Sequence, residues 1–336
     1  MLKAALIGFG GIAQIHRYSY WYLAEKMGKP IELVAAFDLD PGKFTAKTKI
    51  NIPLEEMTEP AHIHFYTDLE EMLSKEQIDF VDICLPPKLH ASMTAEMMRR
   101  GYSVLCEKPM AHSIEECESM LKAAKESGKT LMIGHSLRFT PQYEYLQSLV
   151  ESGKYGKVLG SVFERYSPPP AWSSSAWQMD IGQSGGCLFE LNIHDVDYAR
   201  WLFGEPKEIV GKLESRTYER DTFECELCYD GHIAKVRGGW LTPKDAFRCG
   251  YEVRFEKAVV RFNGGEITVA ENGRSEEKIT VKVTEPIIGE IGYFADVLEG
   301  KIPNTKNPPE GSAKTIAILH GCLESAFENK SVAWEG

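Results

Sequence analysis

As far as His135, short and almost unbroken apolar runs alternate with stretches of helical period. KAALIGF (3–9) runs into glycines, and helical spacing then extends from Ile12 to Met27 and stops at Gly28-Lys29-Pro30. IELVAAFD (31–38) predicts a second strand and HIHFYT (62–67) a third. Asp68, with Glu71 at capping-box spacing, starts the short helix DLEEML. DFVDICLP (79–86) predicts strand four, a helix follows from Lys88 to Arg100, and YSVLCEKP gives strand five. Ser113 and Glu116 form a capping box for a helix that ends at Gly128, and TLMIGH (130–135) comes next. Strands that are apolar along their whole length and separated by helices predict a parallel sheet covered on both faces. This half is expected to be a doubly wound α/β domain of the Rossmann kind.

Beyond it the pattern changes. A helix is predicted near 141–152, then KVLGSVFERYS, then the Pro/Ser/Trp-rich SPPPAWSSSAWQMDIGQSGG (167–186), then a helix over 187–203. Longer alternating strands follow, with Asp230-Gly231 as a hairpin turn, and two helices near 288–299 and 310–328 close the chain. The expected fold is α/β, an N-terminal doubly wound parallel sheet plus a C-terminal α+β domain on a large, mostly antiparallel open sheet. The boundary is expected at 1–122 and 123–336, with the last helix packing back on the first domain.

Composition narrows the function classes. With 336 residues two domains are the natural prior, and 43% hydrophobic with 26% charged residues is ordinary for a globular protein. The net charge of −11 and the absence of a basic stripe argue against nucleic acid or an anionic membrane as partner. No apolar run reaches the ~18–20 residues a bilayer span needs. The glycine-interrupted N-terminus reads as a first strand, so a cytoplasmic protein is expected. Eight scattered cysteines form no disulfide framework. Cys225 and Cys228 are three apart in a strand, on opposite faces, and read as reduced thiols.

Four segments carry chemistry. In IGFGGIA, residues Gly8, Phe9, Gly10, Gly11 and Ile12 form a strand-to-helix turn with Ala13 as its small third position. The first glycine permits the turn, the second lets backbone approach a pyrophosphate, and free N–H groups at the helix start bind it. Asp38, at the end of strand two, suits the adenosine ribose hydroxyls; its carboxylate repels a 2′-phosphate and no Arg follows closely, so NAD is favoured and NADP possible. LPPKLH places Leu85, Pro86 and His90 at the end of strand four, on the rim where ligands of open α/β sheets lie. CEKP places Glu107, Lys108 and Pro109 on the same rim, with Pro109 holding the turn through a candidate cis bond; the plain alternative is a solvated strand end. An ammonium there favours alkoxide character as hydride leaves. On a helical wheel Glu190, His194 and Asp197 fall at about 0°, 40° and −20°. That stripe suits a general base with carboxylates that orient it, against the alternatives of metal chelation, for which no further His or Cys cluster completes a shell, and of a hydrated face. No metal is expected.

With GFGGIA, CEKP and the GG…HDVD segment in this order, the chain resembles the Gfo/Idh/MocA oxidoreductases, typified by glucose–fructose oxidoreductase and inositol dehydrogenase. HSLRFTP (135–141), SGKYGKV (152–158), the Trp177-to-Gly185 approach and LESAFENKSV extend the resemblance over nearly the whole chain. It implies NAD(P) binding, Lys108 as catalytic lysine, His194 as general base, and a homodimer or homotetramer formed through the open sheet face. Members similar to inositol dehydrogenase carry Asp four residues before the histidine, where this chain has Glu190, and many carry Asn where it has Ser136. The implied reaction is hydride transfer between a sugar, sugar derivative or cyclitol and nicotinamide. Glu190 would orient His194 or grip a neighbouring hydroxyl, Trp172 and Trp177 would stack on a sugar face, and Arg138, Arg165, Tyr166 and Asp195 are weaker substrate candidates. The rival readings are a glycosidase or eliminase acting through transient oxidation, and a nucleotide-sensing regulator without turnover.

Overall fold

Every uninterrupted apolar run of the first half becomes a parallel strand. The computed structural model describes residues 1–45, 63–170, 177–215, 221–240 and 247–336. Strands β1 (Leu2–Ile7), β2 (Ile31–Phe37), β3 (His64–Tyr66), β4 (Phe80–Ile83), β5 (Ser103–Glu107) and β6 (Leu131–Gly134) pair in the order β3-β2-β1-β4-β5-β6. All five pairings are parallel. β4, β5 and β6 are buried at every position, as strands covered on both faces must be. The order reverses between β1 and β4, the switch point at which such sheets bind ligands beyond the strand ends.

Helices α1 (Gly11–Trp21), α2 (Leu69–Lys75), α3 (His90–Arg99) and α4 (Ile114–Ser127) connect these strands. Asp68 accepts from the Glu71 N–H at 2.8 Å, and Ser113 with Glu116 forms the expected reciprocal capping box. α1 ends in a π-turn (Tyr22–Lys26) before Gly28 turns the chain at φ +64°.

In the second unit, β7 (Val158–Ser167), β8 (Glu208–Glu214), β9 (Thr222–Tyr229), β10 (His232–Trp240), β11 (Arg248–Phe255), β12 (Ala258–Phe262), β13 (Ile267–Glu271) and β14 (Glu277–Ile279) share a nine-stranded sheet with β15 (Val332–Ala333). Its order is β14-β13-β12-β11-β7-β10-β9-β8-β15. β7 and β10 are parallel and the other pairs antiparallel. Burial alternates along β7, β9 and β12, the pattern of a sheet covered on one face. The turn Asp230-Gly231 joins β9 to β10, with Gly231 at φ +88°. Helices α5 (Pro141–Ser152), α6 (Ile181–Ser184) and α7 (Ile193–Phe203) precede or interrupt these strands.

α8 (Pro286–Leu298) returns to the first unit, where Phe294 meets Phe80 edge-on at 5.3 Å, and α9 (Pro309–Glu328) completes the second. The units are Met1–Ser136 with Thr284–Ala313, and Leu137–Val283 with Lys314–Gly336. This corrects the expected boundary at 122/123, which would cut α4 and strand β6 from its sheet. It also corrects the helix that returns: α8 does, whereas α9 from Lys314 onward belongs to the second unit. β8 went unforeseen. Gly211 interrupts its pattern because α9 lies against it, and a Cβ there would sit 2.0 Å from the Cys322 carbonyl oxygen.

Candidate functional site

The glycine turn at the end of β1 is built for close approach. Gly8 has φ +94°, and a Cβ on it would come within 2.7 Å of the Cys84 carbonyl oxygen on the neighbouring strand. Gly10 caps α1 with extended backbone and no side-chain cap, and a Cβ on it would meet nothing within 4 Å. The first N–H groups of α1 therefore open onto a cradle without side chains, which fits a pyrophosphate. Ile12 is exposed beside it, whereas the Phe9 ring is buried against Phe44 and Phe65. Phe9 contributes backbone only, and its N–H is already committed, donating to Asp38 Oδ2 at 2.8 Å. Asp38 also accepts from the Asp40 N–H (3.0 Å) and from Lys43 Nζ (3.0 and 2.9 Å). Lys43, five residues after Asp38, is thus a basic partner of this acid although no arginine follows it closely.

Two strands along, β5 delivers CEKP to the same edge of the sheet. The Lys108–Pro109 peptide is cis. From Ser103 to Ala111, the side chains of all residues but Lys108 are buried, and Lys108 is half-exposed. Glu107 is turned inward: Oε1 lies 2.9 Å from His16 Nε2, and Oε2 accepts the Lys108 N–H at 3.1 Å. His16 Nδ1 lies 2.8 Å from Asp82 Oδ2, which also accepts the Tyr20 hydroxyl at 2.9 Å. His16, Tyr20 and Asp82 had no signal in the sequence beyond a histidine and a tyrosine one turn apart on α1.

His90 takes a packing role. The ring is fully buried, with Nδ1 2.7 Å from the Pro109 carbonyl and Nε2 2.8 Å from the Leu85 carbonyl. It ties the two rim loops together instead of facing a cofactor, and burial lowers its pKa. Leu85 and Pro86 remain half-exposed on that rim.

In the second unit, Gly185 (φ +75°) and Gly186 (φ +76°) turn the chain into a π-helical segment, Leu188–Asn192, that continues as α7. The expected wheel at 100° per residue does not hold through the wider π-turn, a form frequent at functional sites. Its outcome is selective exposure. Between Cys187 and Arg200, Glu190, Leu191 and His194 alone are half-exposed. Asp197 leaves the stripe: it is buried, receiving Arg138 Nε (2.9 Å) and Nη2 (2.7 Å) and the Thr315 hydroxyl (2.8 Å). Asp195 is likewise buried under Arg165, whose Nε and Nη2 donate at 2.6 and 3.1 Å. Arg138, Arg165 and Asp195, expected as substrate contacts, are thus committed to internal ion pairs. Trp172 lies outside the described residues, as does the side chain of Trp177, whose backbone begins a 3-10 turn.

A Rossmann sheet with this glycine turn, followed by an acid at the end of β2, fits a bound dinucleotide. The comparisons agree: the family model for the GFO/IDH/MocA NAD-binding Rossmann domain matches residues 2–135, and that for the GFO/IDH/MocA C-terminal domain matches residues 143–261. The chain belongs to the GFO/IDH/MocA oxidoreductase family. An uncharacterized oxidoreductase, C115.03 of Schizosaccharomyces pombe, is 25% identical over 261 residues, 76% of this chain and 67% of that protein. A 2,7-anhydro-N-acetylneuraminate hydratase of Escherichia coli K12 is 33% identical over 144 residues, 43% of this chain and 38% of that protein. Levoglucosan dehydrogenase, solved with NADH and levoglucosan, shares the fold over 100% of both chains with TM-score 0.82 at 19% identity. Among the described residues no helix is long and apolar enough to cross a membrane.

Proposed function

We propose that this oxidoreductase transfers hydride between a hydroxyl or carbonyl carbon of a sugar, sugar derivative or cyclitol and nicotinamide, with Lys108 and His194 acting on the reacting oxygen. The observation that carries the reading is Lys108 itself, the one half-exposed side chain of an otherwise buried strand end, on the sheet edge that also holds the glycine turn. Gly8, Gly10, Gly11 and Asp38 would hold the dinucleotide, which supplies the hydride acceptor or donor when bound. Lys108 hydrogen-bonds the substrate oxygen and stabilises the charge that develops on it. His194 takes or returns the hydroxyl proton, and the half-exposed Glu190 orients it or grips a neighbouring hydroxyl. Sugars enter as the substrate class because levoglucosan dehydrogenase, of the same fold, was solved with one.

The test is a scan of sugars, cyclitols and their keto forms with NAD(H) and NADP(H), followed at the absorbance of reduced nicotinamide. Turnover on a polyol or ketose that is lost in Lys108→Ala supports the reading. No turnover on any of them, with Lys108→Ala still active on some other substrate, defeats it. A second reading, elimination or hydration through transient oxidation, draws on the likeness to the hydratase. It predicts product formation with cofactor retained and no net NADH.

A further inference from the structure

We infer that His16 is a positioning residue for the Lys108 arm: its imidazolium, clamped between Asp82 and Glu107, fixes the carboxylate that in turn holds the Lys108 backbone. The inference rests on the role of Lys108 proposed above.

Both ring nitrogens of His16 face carboxylate oxygens, Asp82 Oδ2 at 2.8 Å and Glu107 Oε1 at 2.9 Å. A neutral imidazole donates from one nitrogen and would turn a lone pair toward the second carboxylate, whereas the imidazolium donates to both. His16 and Asp82 are fully buried and Glu107 is 8% exposed, so these contacts are shielded from bulk water. Burial disfavours the cation, but Asp82 and Cys84 more than offset it and raise the His16 pKa well above its usual value. From α1 itself Tyr20 faces the cluster, from β4 Asp82 and from the residue just after that strand Cys84, from β5 Glu107, and from α8 and its N-terminal flank Glu290 and Glu285. This surrounding is acid-rich and calls for a cation.

A metal is the rival occupant, since ligand atoms of His16, Asp82 and Cys84 lie within 4.8 Å of one another. Burial pushes the Cys84 thiol up to about 12, however, and a metal needs the thiolate. His16 also has no nitrogen left to give.

The arm beyond β5 is gripped at two points. Glu107 Oε2 accepts the Lys108 N–H (3.1 Å), and the buried ring of His90 lies 2.7 Å from the Pro109 carbonyl. Between those grips the amine stays half-exposed. The first grip depends on where Glu107 points, and His16 decides that from a helix whose opening turn is the dinucleotide cradle. A catalytic group displaced by ~1 Å loses about 10²-fold in rate, so this is a large lever.

The full chain carrying His16→Asn tests it by hydrogen–deuterium exchange read by mass spectrometry. Exchange of segment 104–113 rises about fivefold or more while β2 and β6 keep their protection. Glu107→Gln gives the same local rise and carries the test should His16→Asn not fold. The double variant is no worse than either single one, since both act through one contact. On any substrate found in the scan, kcat falls about 10²-fold with the NADH dissociation constant and KM within a few-fold. Unchanged exchange over 104–113, a uniform rise across the unit, or additive effects of the two substitutions would each overturn the inference. Lys108→Ala leaves the exchange pattern as it is, so loss or survival of turnover in that variant judges the functional reading separately.

Discussion

The two units bury charge in different ways. The second locks its carboxylates under arginines: Asp197 under Arg138 and Asp195 under Arg165, each receiving two N–H groups. A guanidinium does not deprotonate in proteins, so the arginines of these forks keep their charge on the alkaline side. The first unit instead sets a histidine between Asp82 and Glu107, a cation that pH can remove. Permanent charge builds the frame beneath His194, and titratable charge stands behind Lys108. In both places the residue proposed to act on the substrate is among the half-exposed ones.

The largest effects should come from those two exposed groups. On the proposed mechanism Lys108→Ala and His194→Asn each remove an interaction made in the transition state, and a positioned acid or base contributes about 10²–10⁴-fold. We expect kcat/KM to fall by about 10³-fold, with NADH binding by fluorescence titration within a few-fold. A loss below about tenfold in either variant would dissolve the comparison, because exposure would then not mark function.

Breaking a fork sharpens the contrast from the other side. Arg138→Leu strands Asp197 in a fully buried setting, and uncompensated buried charges cost about 3–5 kcal/mol. Urea unfolding should show that loss alike at pH 7 and pH 9, since the wild-type guanidinium is charged at both. A cost under about 1 kcal/mol would mean that Asp197 finds another partner at once.

The two kinds of charge differed equally in how far the sequence disclosed them. Local signals were readable: the glycine turn at Gly8, the capping box at Ser113, the hairpin at Asp230-Gly231 and the fully apolar parallel strands all depend on residues close in sequence. The partners of Arg138 and Arg165 lie 59 and 30 positions away, so a lone arginine near a motif looked like a substrate contact. His16 meets Asp82 and Glu107 across 66 and 91 positions, with no pattern to announce it. The π-turn at Leu188–Asn192 was hidden because its apolar residues suit an α-helix equally well. Lys43 carries no signal of its own, because a surface lysine five residues after a strand end is ordinary unless its partner is known.

pH separates the networks further. The His16 pKa is raised, so its contribution to stability is complete below the unfolded-state value near ~6.5 and fades as pH rises through the folded one. Burial pushes the Glu107 carboxyl up, but hydrogen bonding to His16 together with the positive charge of His16 and Lys108 outweighs it and leaves the pKa lowered. Its contribution is complete above the unfolded-state value near ~4.3 and fades as pH falls through the folded one. Denaturant unfolding of the wild type should therefore lose stability on the alkaline side, and His16→Asn should flatten that limb. An alkaline slope that survives His16→Asn unchanged would assign it to another group.

The smallest effect concerns the buried Asp38 and its partly exposed partner Lys43, near the cofactor cradle. Asp38 by itself repels a 2′-phosphate, which favours NAD, but Lys43 Nζ sits 2.9 Å from its Oδ2 and cancels part of that repulsion. Lys43 is 43% exposed, so the pair is screened and worth about 0.2–1 kcal/mol. Lys43→Ala should weaken NADPH binding about two- to fivefold and leave NADH within about twofold, an effect that shrinks in high salt. Titrating both nucleotides at two ionic strengths reads this directly. An unchanged NADPH-to-NADH ratio would show that Lys43 serves only to hold Asp38, as the arginines of the second unit hold their aspartates.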